Sequence, residues 1–247
     1  MSKTKTAFFC QQCGYESAKW LGKCPACGQW NTMVEEVLQK PAANNIDWKE
    51  TTLSKSSSKS VLLQDVSNAE EKRLITPAAE LNRVLGGGIV PGSLVLVAGE
   101  PGIGKSTLFL QDALQLTGIK TLYISGEESE QQIKMRASRI GVSNELFYLL
   151  TETDTQIIFQ EIKKLQPQLV IVDSVQTLQS PYVESAPGSI SQIRECAAEL
   201  PRYAKNTHTP VFLIGHITKD GAIAGPKIVE HMVDTVLQFE GDQHYMY

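Results

Sequence analysis

Short, uninterrupted apolar runs recur along the chain from about residue 73 onward. The four clearest are Leu94–Ala98, Thr121–Ser125, Leu169–Asp173 and Val211–Gly215. Stretches with helical periodicity lie between them, at roughly 104–117, 128–140, 154–165 and 189–206. Such runs suit strands that are buried on both faces of a parallel sheet. The alternation therefore predicts an α/β fold with a mainly parallel sheet, helices on both faces and a site beyond the carboxyl ends of the strands.

The first part of the chain has a different character. Residues 7–36 hold four of the five cysteines, two of the three tryptophans and several glycines. The stretch that follows is polar and includes the low-complexity run Lys55–Ser60, which is too poor in apolar residues to build a core. We therefore predict a small module at 1–36, a flexible linker at 37–72 and the α/β core at 73–247.

Composition narrows the class of protein. The 247 residues are 42% hydrophobic and 20% charged, and no apolar run approaches the roughly 18 residues that cross a membrane. No apolar signal core follows the start, so we expect a cytoplasmic protein with no membrane partner. The net charge of −4 argues weakly against coating nucleic acid by bulk charge, but it leaves local basic loops possible.

The first apolar run ends in a glycine-rich loop. Residues Gly99–Ser106 read GEPGIGKS and match the phosphate-loop pattern G-x-x-x-x-G-K-[ST], after a strand and before a helix. The glycines let backbone amides turn towards phosphates, and the start of the helix adds its positive end. Lys105 supplies a charge for the β- and γ-phosphates, and Ser106 supplies a hydroxyl for Mg²⁺. The loop predicts binding of ATP with Mg²⁺.

Polar residues end the other three runs. We expect Asp173 to hold Mg²⁺ or its water, although an aspartate there could also cap a helix. Glu127 and Glu128 follow the second run, and we predict Glu127 as the base that orients the attacking water. The alternative is an acidic first helical turn. His216 ends the fourth run and could touch the γ-phosphate, although a lone histidine is more often structural.

The predicted site thus has two sets of residues. The catalytic set is Glu127, Lys105 and His216. The nucleotide- and magnesium-binding set is Gly99, Glu100, Pro101, Gly102, Ile103, Gly104, Lys105, Ser106, Thr107 and Asp173.

Two Cys-x-x-Cys pairs predict a metal site. The pairs are Cys10 with Cys13 and Cys24 with Cys27; a glycine follows each, and ten residues separate them. Four thiolates at this spacing indicate a closed, tetrahedral zinc site with a structural role. The alternatives are disulfides or an iron–sulfur cluster. Cys196 lies far away in a helical pattern and is expected to be a core thiol.

Together these motifs resemble the RadA (Sms) family of bacterial DNA-repair proteins, within the RecA-like ATPase class. The resemblance covers essentially the whole chain. Besides the cysteine pairs and the phosphate loop, it is carried by residues 80–93, 123–129, 170–177, 215–227 and 230–236.

The resemblance implies a DNA-dependent ATPase of recombinational repair that acts as a branch-migration helicase with RecA. DNA, single-stranded and branched, would be the substrate of a hexameric ring with ATP bound between subunits. Glu127 matches the family's catalytic glutamate and His216 its γ-phosphate sensor, and the zinc module is linked to the partnership with RecA. The family's DNA loops fall on Gln179–Arg194 and Lys219–Lys227.

In the first of these segments, Tyr182 is available for stacking and Arg194 for phosphate. The second is rich in small residues that permit close approach to a backbone. From the residues alone, an ordinary surface loop remains the alternative for both.

The chain departs from the family at its end. RadA proteins continue with a Lys-Asn-Arg-Phe-Gly motif and a Lon-protease-like domain, whereas this sequence stops at Tyr247, so we expect a C-terminal truncation. Ring assembly and work on DNA are then in question. The alternative function is a nucleotide-gated DNA- or protein-binding module with a zinc-ribbon recruitment arm. Circadian-clock-type and replicative ring ATPases share the fold class, but the N-terminal ribbon argues against both.

Overall fold

The structure is a computed structural model that describes residues 5–38, 60, 62–65, 72–216 and 229–241. Its core is a six-stranded sheet in the order β10-β4-β9-β7-β5-β6, and every neighbouring pair in it is parallel. The strands are β4 (Leu94–Gly99), β5 (Thr121–Ser125), β6 (Phe147–Leu150), β7 (Leu169–Asp173), β9 (Val211–His216) and β10 (Thr235–Phe239). The predicted α/β fold with a mainly parallel sheet is confirmed.

Helices cover both faces of this sheet. They are α1 (Ala79–Val84), α2 (Lys105–Gln115), α3 (Glu130–Ile140), α4 (Thr155–Leu165) and α5 (Ile190–Thr207). Alternate residues of each central strand enter two separate apolar clusters, one shared with α2 and α3 and the other with α4 and α5. Because both faces are covered, β4, β5 and β7 are buried along their whole length, which explains their uninterrupted apolar sequences.

Side-chain caps fix where three of the helices begin. Ser129 and Gln132 form a reciprocal capping box at α3, Asp154 accepts from two amides at α4, and Ser189 accepts from the Gln192 amide at α5. Each cap satisfies amides that the helix itself leaves without partners. The caps hold the turns that follow the strands, where the predicted site residues lie.

Two edge strands and a short helix lie outside the expected pattern. Strand β10 alternates between half-buried and exposed residues, and β6 is at most half-buried. Neither therefore has the continuous apolar run that marks the central strands. Helix α1 is six residues long, too short for a periodic signal.

The N-terminal residues form a second, smaller sheet in the order β2-β1-β3-β8. Its strands are β1 (Lys5–Cys10), β2 (Glu16–Ser17), β3 (Met33–Leu38) and β8 (Val183–Glu184). The fourth strand belongs to the core segment between β7 and α5. The N-terminal module with strands β1, β2 and β3, called the ribbon below, therefore shares a sheet with the core. Strand β3 continues to Leu38, two residues past the module boundary drawn from the sequence, and most of the predicted linker at 37–72 lies outside the described residues.

None of the helices in the described ranges combines the length and apolar character that a bilayer-spanning helix needs.

Candidate nucleotide site and metal centre

The loop that joins β4 to α2 has the backbone that the phosphate pattern requires. Gly102 and Gly104 have φ values of 81° and 105°, in the left-handed region that favours glycine. A Cβ atom at either position would have no neighbour within 4 Å, so backbone conformation rather than crowding selects glycine there. Helix α2 begins at Lys105, with Ser106 and Thr107 in its first turn. Free space beside a helix N-terminus fits phosphate groups.

Lys105 is almost fully buried, at 3% exposure. Its Nζ atom donates to the carbonyl oxygens of Gly99 and Glu100, at 2.8 and 2.9 Å, and lies 3.4 Å from Nδ1 of His216. A lysine ammonium has three protons, so all three have acceptors within the protein. Burial lowers the pKa of Lys105, while the charges of Asp173 and Glu127 act in the opposite direction.

His216 bridges Lys105 and Glu127. Because the lysine ammonium only donates, Nδ1 of His216 is the acceptor in their contact. The ring proton then lies on Nε2, which is 3.1 Å from Oε1 of Glu127 and donates to it. The contacts thus assign the ring proton of His216 to Nε2.

The two adjacent glutamates have different surroundings. Oε1 of Glu127 accepts from the Ser174 hydroxyl at 2.6 Å as well as from His216. Oε1 of Glu128 instead pairs with Nη1 of Arg136 on α3, at 2.9 Å. The carboxylate of Glu127 therefore contacts the residues beside the phosphate loop, whereas that of Glu128 forms an ion pair with a residue of α3.

Asp173 ends β7 and is 5% exposed. The phenol of Tyr123, two residues before the end of β5, donates to its Oδ2 atom at 2.5 Å. Burial raises the pKa of Tyr123 well above its usual value, and the charge of Asp173 adds to this, so the phenol stays a donor. The peptide bond between Asp173 and Ser174 is cis.

Gly126 lies where any side chain would clash with its neighbours. A Cβ atom there would be 2.0 Å from Oγ1 and 2.5 Å from Cβ of Thr177. Its amide donates to the carbonyl of Asp173 at 2.9 Å, and Thr177 Oγ1 donates to the carbonyl of Ser174 at 2.8 Å. This close packing ties the end of β5 to the end of β7 and positions the glutamate that follows.

Strand order explains why the predicted residues meet. In the sheet, β4 neighbours β9, β9 neighbours β7, and β7 neighbours β5. Gly99 is paired with His216, and Ser125 with Asp173, so the carboxyl ends lie side by side. The structure therefore brings Lys105, Asp173, Glu127 and His216 to one edge.

Sequence reasoning missed three residues of this site: Tyr123, Ser174 and Gln176, whose Nε2 atom donates to the carbonyl of His216 at 3.3 Å. One signal was available, because a tyrosine within a buried strand needs a partner for its hydroxyl. The roles of Ser174 and Gln176 depend on the turn after β7, which has no periodic pattern.

The four ribbon cysteines converge as predicted. Cys10 and Cys27 have sulfurs 3.6 Å apart, those of Cys13 and Cys24 are 3.5 Å apart, and all four lie within 4.8 Å of one another. Disulfide sulfurs would be about 2.05 Å apart. Four sulfurs at about 2.3 Å from a tetrahedral zinc would be about 3.8 Å from each other, close to the observed spacing.

Local turns aim these sulfurs. The amides of Gly14 and Gly28 donate to the carbonyls of Cys10 and Cys24, both at 2.9 Å, and both glycines have positive φ. Burial alone would raise the pKa of Cys10, but hydrogen bonds from the Thr32 hydroxyl and from nearby amides outweigh it and lower the pKa to about 6. Burial raises the pKa of the Cys13 and Cys27 thiols, so Cys10 is the thiolate that the site itself favours. Cys196 is fully buried in the core, as expected.

One of the two predicted DNA segments can be described. In Gln179–Arg194, the hydroxyl of Tyr182 accepts from Gln156 Nε2 at 2.7 Å, and Nη1 of Arg194 lies 4.0 Å from Oε2 of Glu16. Lys219–Lys227 lies outside the described residues.

Comparison with known proteins finds matches for both parts of the chain. Residues 58–222 match the family model of the AAA domain, and residues 8–35 match that of the rubredoxin metal binding domain. The whole chain is 52% identical, over 252 residues, to DNA repair protein RadA of Bacillus subtilis (strain 168), covering 54% of that protein. It is 53% identical, over 249 residues and 54% of the relative, to DNA repair protein RadA of Halalkalibacterium halodurans.

A third relative, DNA repair protein RadA of Listeria monocytogenes serovar 1/2a, is 51% identical over 248 residues, again with all of this chain and 53% of the relative. The chain thus spans about half the length of the curated relatives it matches. It belongs to the AAA domain family and, along its whole length, is homologous to proteins named DNA repair protein RadA.

Proposed function

We propose that the chain hydrolyses ATP at the edge formed by β4, β9, β7 and β5. One observation carries this proposal: the amine of Lys105, the ring of His216 and the carboxylate of Glu127 form a continuous chain of contacts of 3.4 Å or less. Asp173 lies at the next strand end. A cation, a base and a second carboxylate beside a glycine loop are the parts that phosphoryl transfer to water requires.

The residues have distinct roles in this proposal. The loop amides and Lys105 hold the phosphates, and Glu127 accepts a proton from the attacking water. Asp173 and Ser106 offer oxygen ligands of the kind that Mg²⁺ takes, and the bound ion would neutralise phosphate charge. Ser174 and His216 hold the Glu127 carboxylate until the phosphates arrive.

Phosphate binding then affects the base through Lys105. Because all three protons of Lys105 already have acceptors, a phosphate oxygen has to replace one of them. The longest contact, to His216 at 3.4 Å, is the easiest to exchange. A histidine that loses this partner is free to reorient, and its hold on Glu127 changes with it. The same contacts thereby link nucleotide binding to the position of the base.

We further propose that this hydrolysis serves recombinational DNA repair. The relatives are named DNA repair proteins, which supports a role in repair. Within that role we propose a DNA-dependent ATPase that acts as a branch-migration helicase with RecA in the cytoplasm. A hexameric ring on single-stranded and branched DNA is part of the same proposal. Because this chain spans about half of those relatives, we assign work on DNA to the longer protein and ATP binding and hydrolysis to these residues.

For the ribbon we propose a structural zinc ion held by the four cysteines. The sulfur spacing fits a tetrahedral ion, and four protein ligands leave no position for a reacting water. Metal analysis of protein purified without added metal, expressed as ions per chain, tests the proposal. One zinc per chain supports it, and one iron would contradict it.

The hydrolytic proposal is tested by ATP turnover with and without single-stranded DNA, repeated with Lys105→Ala. We expect turnover that the substitution abolishes, and stimulation by DNA tests the further proposal of a DNA-dependent ATPase. Turnover that survives Lys105→Ala would show that another site is responsible.

A second candidate is the nucleotide-gated binding module with the ribbon as its recruitment arm. The observation that favours it is exposure: the side chains of Trp20 and Trp30 are 54% and 67% exposed on a very small domain. Ring atoms of both lie within 4 Å of the position that a Cβ atom on Gly22 would occupy, so the two rings form one aromatic patch. Exposed tryptophans are enriched at interfaces. Partner binding that survives deletion of residues 1–36 would rule this candidate out.

A further inference from the structure

The metal ribbon is joined to the core by strand pairing. Val37 and Leu38 of β3 pair in antiparallel register with Glu184 and Val183 of β8. Strand β8 lies within Gln179–Arg194, the described one of the two segments that the family resemblance assigns to DNA. The ribbon therefore covers part of that segment.

A ribbon carboxylate is buried at this junction. Glu36 is 6% exposed, and its Oε2 atom accepts from the hydroxyl of Ser191 in the first turn of α5. Its Oε1 atom accepts from Nε2 of Gln11 at 3.3 Å, within the ribbon. Burying a carboxylate costs desolvation free energy, and the hydrogen bonds from these donors offset that cost. Ser185 and Ser189 extend the group, with hydroxyls 3.0 and 3.3 Å from that of Ser191.

A second ribbon carboxylate faces the basic residue of the same segment. Oε2 of Glu16 lies 4.0 Å from Nη1 of Arg194, and both side chains are close to half exposed. An ion pair of this length and exposure contributes little, on the order of 0–1 kcal/mol. It keeps an anionic group beside Arg194 without holding it firmly.

The covered groups have the chemistry of a phosphate contact. Serine hydroxyls, an arginine and the first turn of a helix are the groups through which proteins hold nucleic-acid backbones. In this structure their partners are two anionic oxygen groups from the ribbon, Glu36 and Glu16. A DNA phosphate offers the same acceptor atoms and the same sign of charge.

We propose that the ribbon is a displaceable cover on Gln179–Arg194, and that its carboxylates and DNA phosphates compete for the same donors. The inference rests on the proposed function, because it takes this segment as the DNA contact. Among the described residues, the strand pairing is short, at two residue pairs, with one buried hydrogen bond and one exposed ion pair beside it. Helix α5 also lies close to β1. The ribbon is covalently continuous with the core, so it can leave this contact without leaving the chain.

A reversible lock tests the competition directly. Val37 and Glu184 are opposite each other in the register, so Val37→Cys with Glu184→Cys allows a cross-strand disulfide. The probe is a fluorescently labelled single-stranded oligothymidylate, and its binding to the zinc-loaded 247-residue chain is followed by fluorescence anisotropy. We expect the oxidised protein to bind about 10-fold more weakly or worse, and reduction to restore binding. Each single-cysteine variant, oxidised in the same way, is the control.

A second variant removes the charge of Glu36 and should weaken the contact between the ribbon and the core. Glu36→Gln keeps the size of the side chain but removes the buried charge, so we expect several-fold tighter binding of the same oligothymidylate. Glu35→Gln is the matched control, because it removes an equal charge from the exposed neighbour on the other face of β3. Equal affinities for Glu36→Gln and Glu35→Gln, or for locked and reduced protein, would overturn the proposal.

Hydrogen exchange of the wild-type chain covers the case in which the locked variant misfolds. With oligothymidylate added, we expect the end of β3 that pairs with β8, at Val37 and Leu38, to lose protection while the amides of Gln179–Arg194 gain it. Gained protection in both would mean that DNA binds on top of the docked ribbon, contrary to the proposal. Failure of the wild type, Glu36→Gln and the reduced protein alike to bind the oligothymidylate would contradict the DNA contact at Gln179–Arg194 itself. Oligothymidylate binding of equal affinity with the ribbon locked and released would contradict only the role of the ribbon as a cover.

Discussion

Nδ1 of His216 lies 3.4 Å from Nζ of Lys105, although 111 positions separate the two residues in the chain. The contact follows from the register of two neighbouring strands, which pairs Gly99 with His216. The end of one strand and the loop that leaves the other are therefore in contact before any ligand binds. The phosphate site and its proposed sensor are parts of one hydrogen-bonded group, and substitution of either should be felt by the other.

Lys105→Ala is expected to weaken ATP binding and abolish turnover. A hydrogen bond to a charged group contributes about 1.5–3 kcal/mol, so affinity should fall by about 10- to 150-fold. A fluorescent ATP analogue, titrated into wild type and variant, measures the change. Lys134→Ala, on the exposed side of α3, is the control and should bind normally. Similar losses in both variants would point to general destabilisation.

Glu127→Gln and Glu128→Gln separate the two candidate bases. Glu127 joins His216 and Ser174, whereas Glu128 is paired with Arg136. We expect Glu127→Gln to lower kcat about 100-fold or more with little change in KM, since a positioned base contributes about 10²- to 10⁴-fold. Glu128→Gln should change kcat far less. Steady-state ATPase kinetics of both variants measure these changes in kcat. A larger loss of kcat in Glu128→Gln than in Glu127→Gln would assign the base to Glu128.

Gly126→Ala is expected to disturb both stability and turnover. Its Cβ would be 2.0 Å from Oγ1 of Thr177, which forces the ends of β5 and β7 apart. Overpacking of this kind costs about 1–3 kcal/mol. Urea unfolding measures the loss, and Thr177→Ala in the same chain should recover part of it. Gly215→Ala is the control, because a Cβ there would meet its nearest atom at 3.5 Å.

The sequence predicted the central strands and the residues at their ends because both depend on local pattern. A strand buried on both faces needs a continuous apolar run, and Asp173 and His216 stand where two such runs stop. Strand β10 could not be predicted in this way, because its exposed edge mixes polar and apolar residues. The pairing of β3 with β8 depends on contacts between distant residues, which no local pattern encodes.

Removal of the metal is expected to unfold the ribbon and release β8. The ribbon's own apolar cluster is small, with Met33 and two of the cysteines as its buried members, so the metal supplies most of its stability. Cys13→Ser should lose the ion and raise hydrogen exchange in β3 and β8 together. Exchange in β4 and β7 should stay unchanged. Protection of β8 that survives metal loss would show that its order does not depend on the ribbon.

Asp234 predicts a pH-dependent contribution to stability. Burial raises the pKa of its carboxyl, but the Leu94 amide and the Lys205 ammonium outweigh it and lower the pKa below 3.8. A lowered folded-state pKa means that the stabilisation is present above the unfolded value and lost as pH falls through the folded one. Because the side chain is 37% exposed, we expect Asp234→Asn to cost about 1 kcal/mol at neutral pH.

The measurement is the free energy of unfolding in urea at a series of pH values. The difference between wild type and Asp234→Asn should narrow as pH falls below 3.8 and disappear below the folded-state pKa. A difference that stays constant over the series would mean that the carboxyl charge is not what stabilises this contact. Lys205→Ala should reproduce part of the loss at neutral pH, since its Nζ lies 2.9 Å from Asp234 Oδ1.

The strand shared by ribbon and core has a consequence during synthesis. Residue 37 leaves the ribosome roughly 150 residues before residue 184, its partner, which at 5–20 residues per second is about 7–30 s. The cysteines can bind their metal ion in that interval, but the edge of β3 that pairs with β8 stays unpaired until β8 is synthesised. An unpaired edge invites pairing with other chains, and neighbours on one polysome are the nearest candidates. The charged run Glu35–Glu36 on that edge would discourage such nascent-chain contacts until β8 arrives.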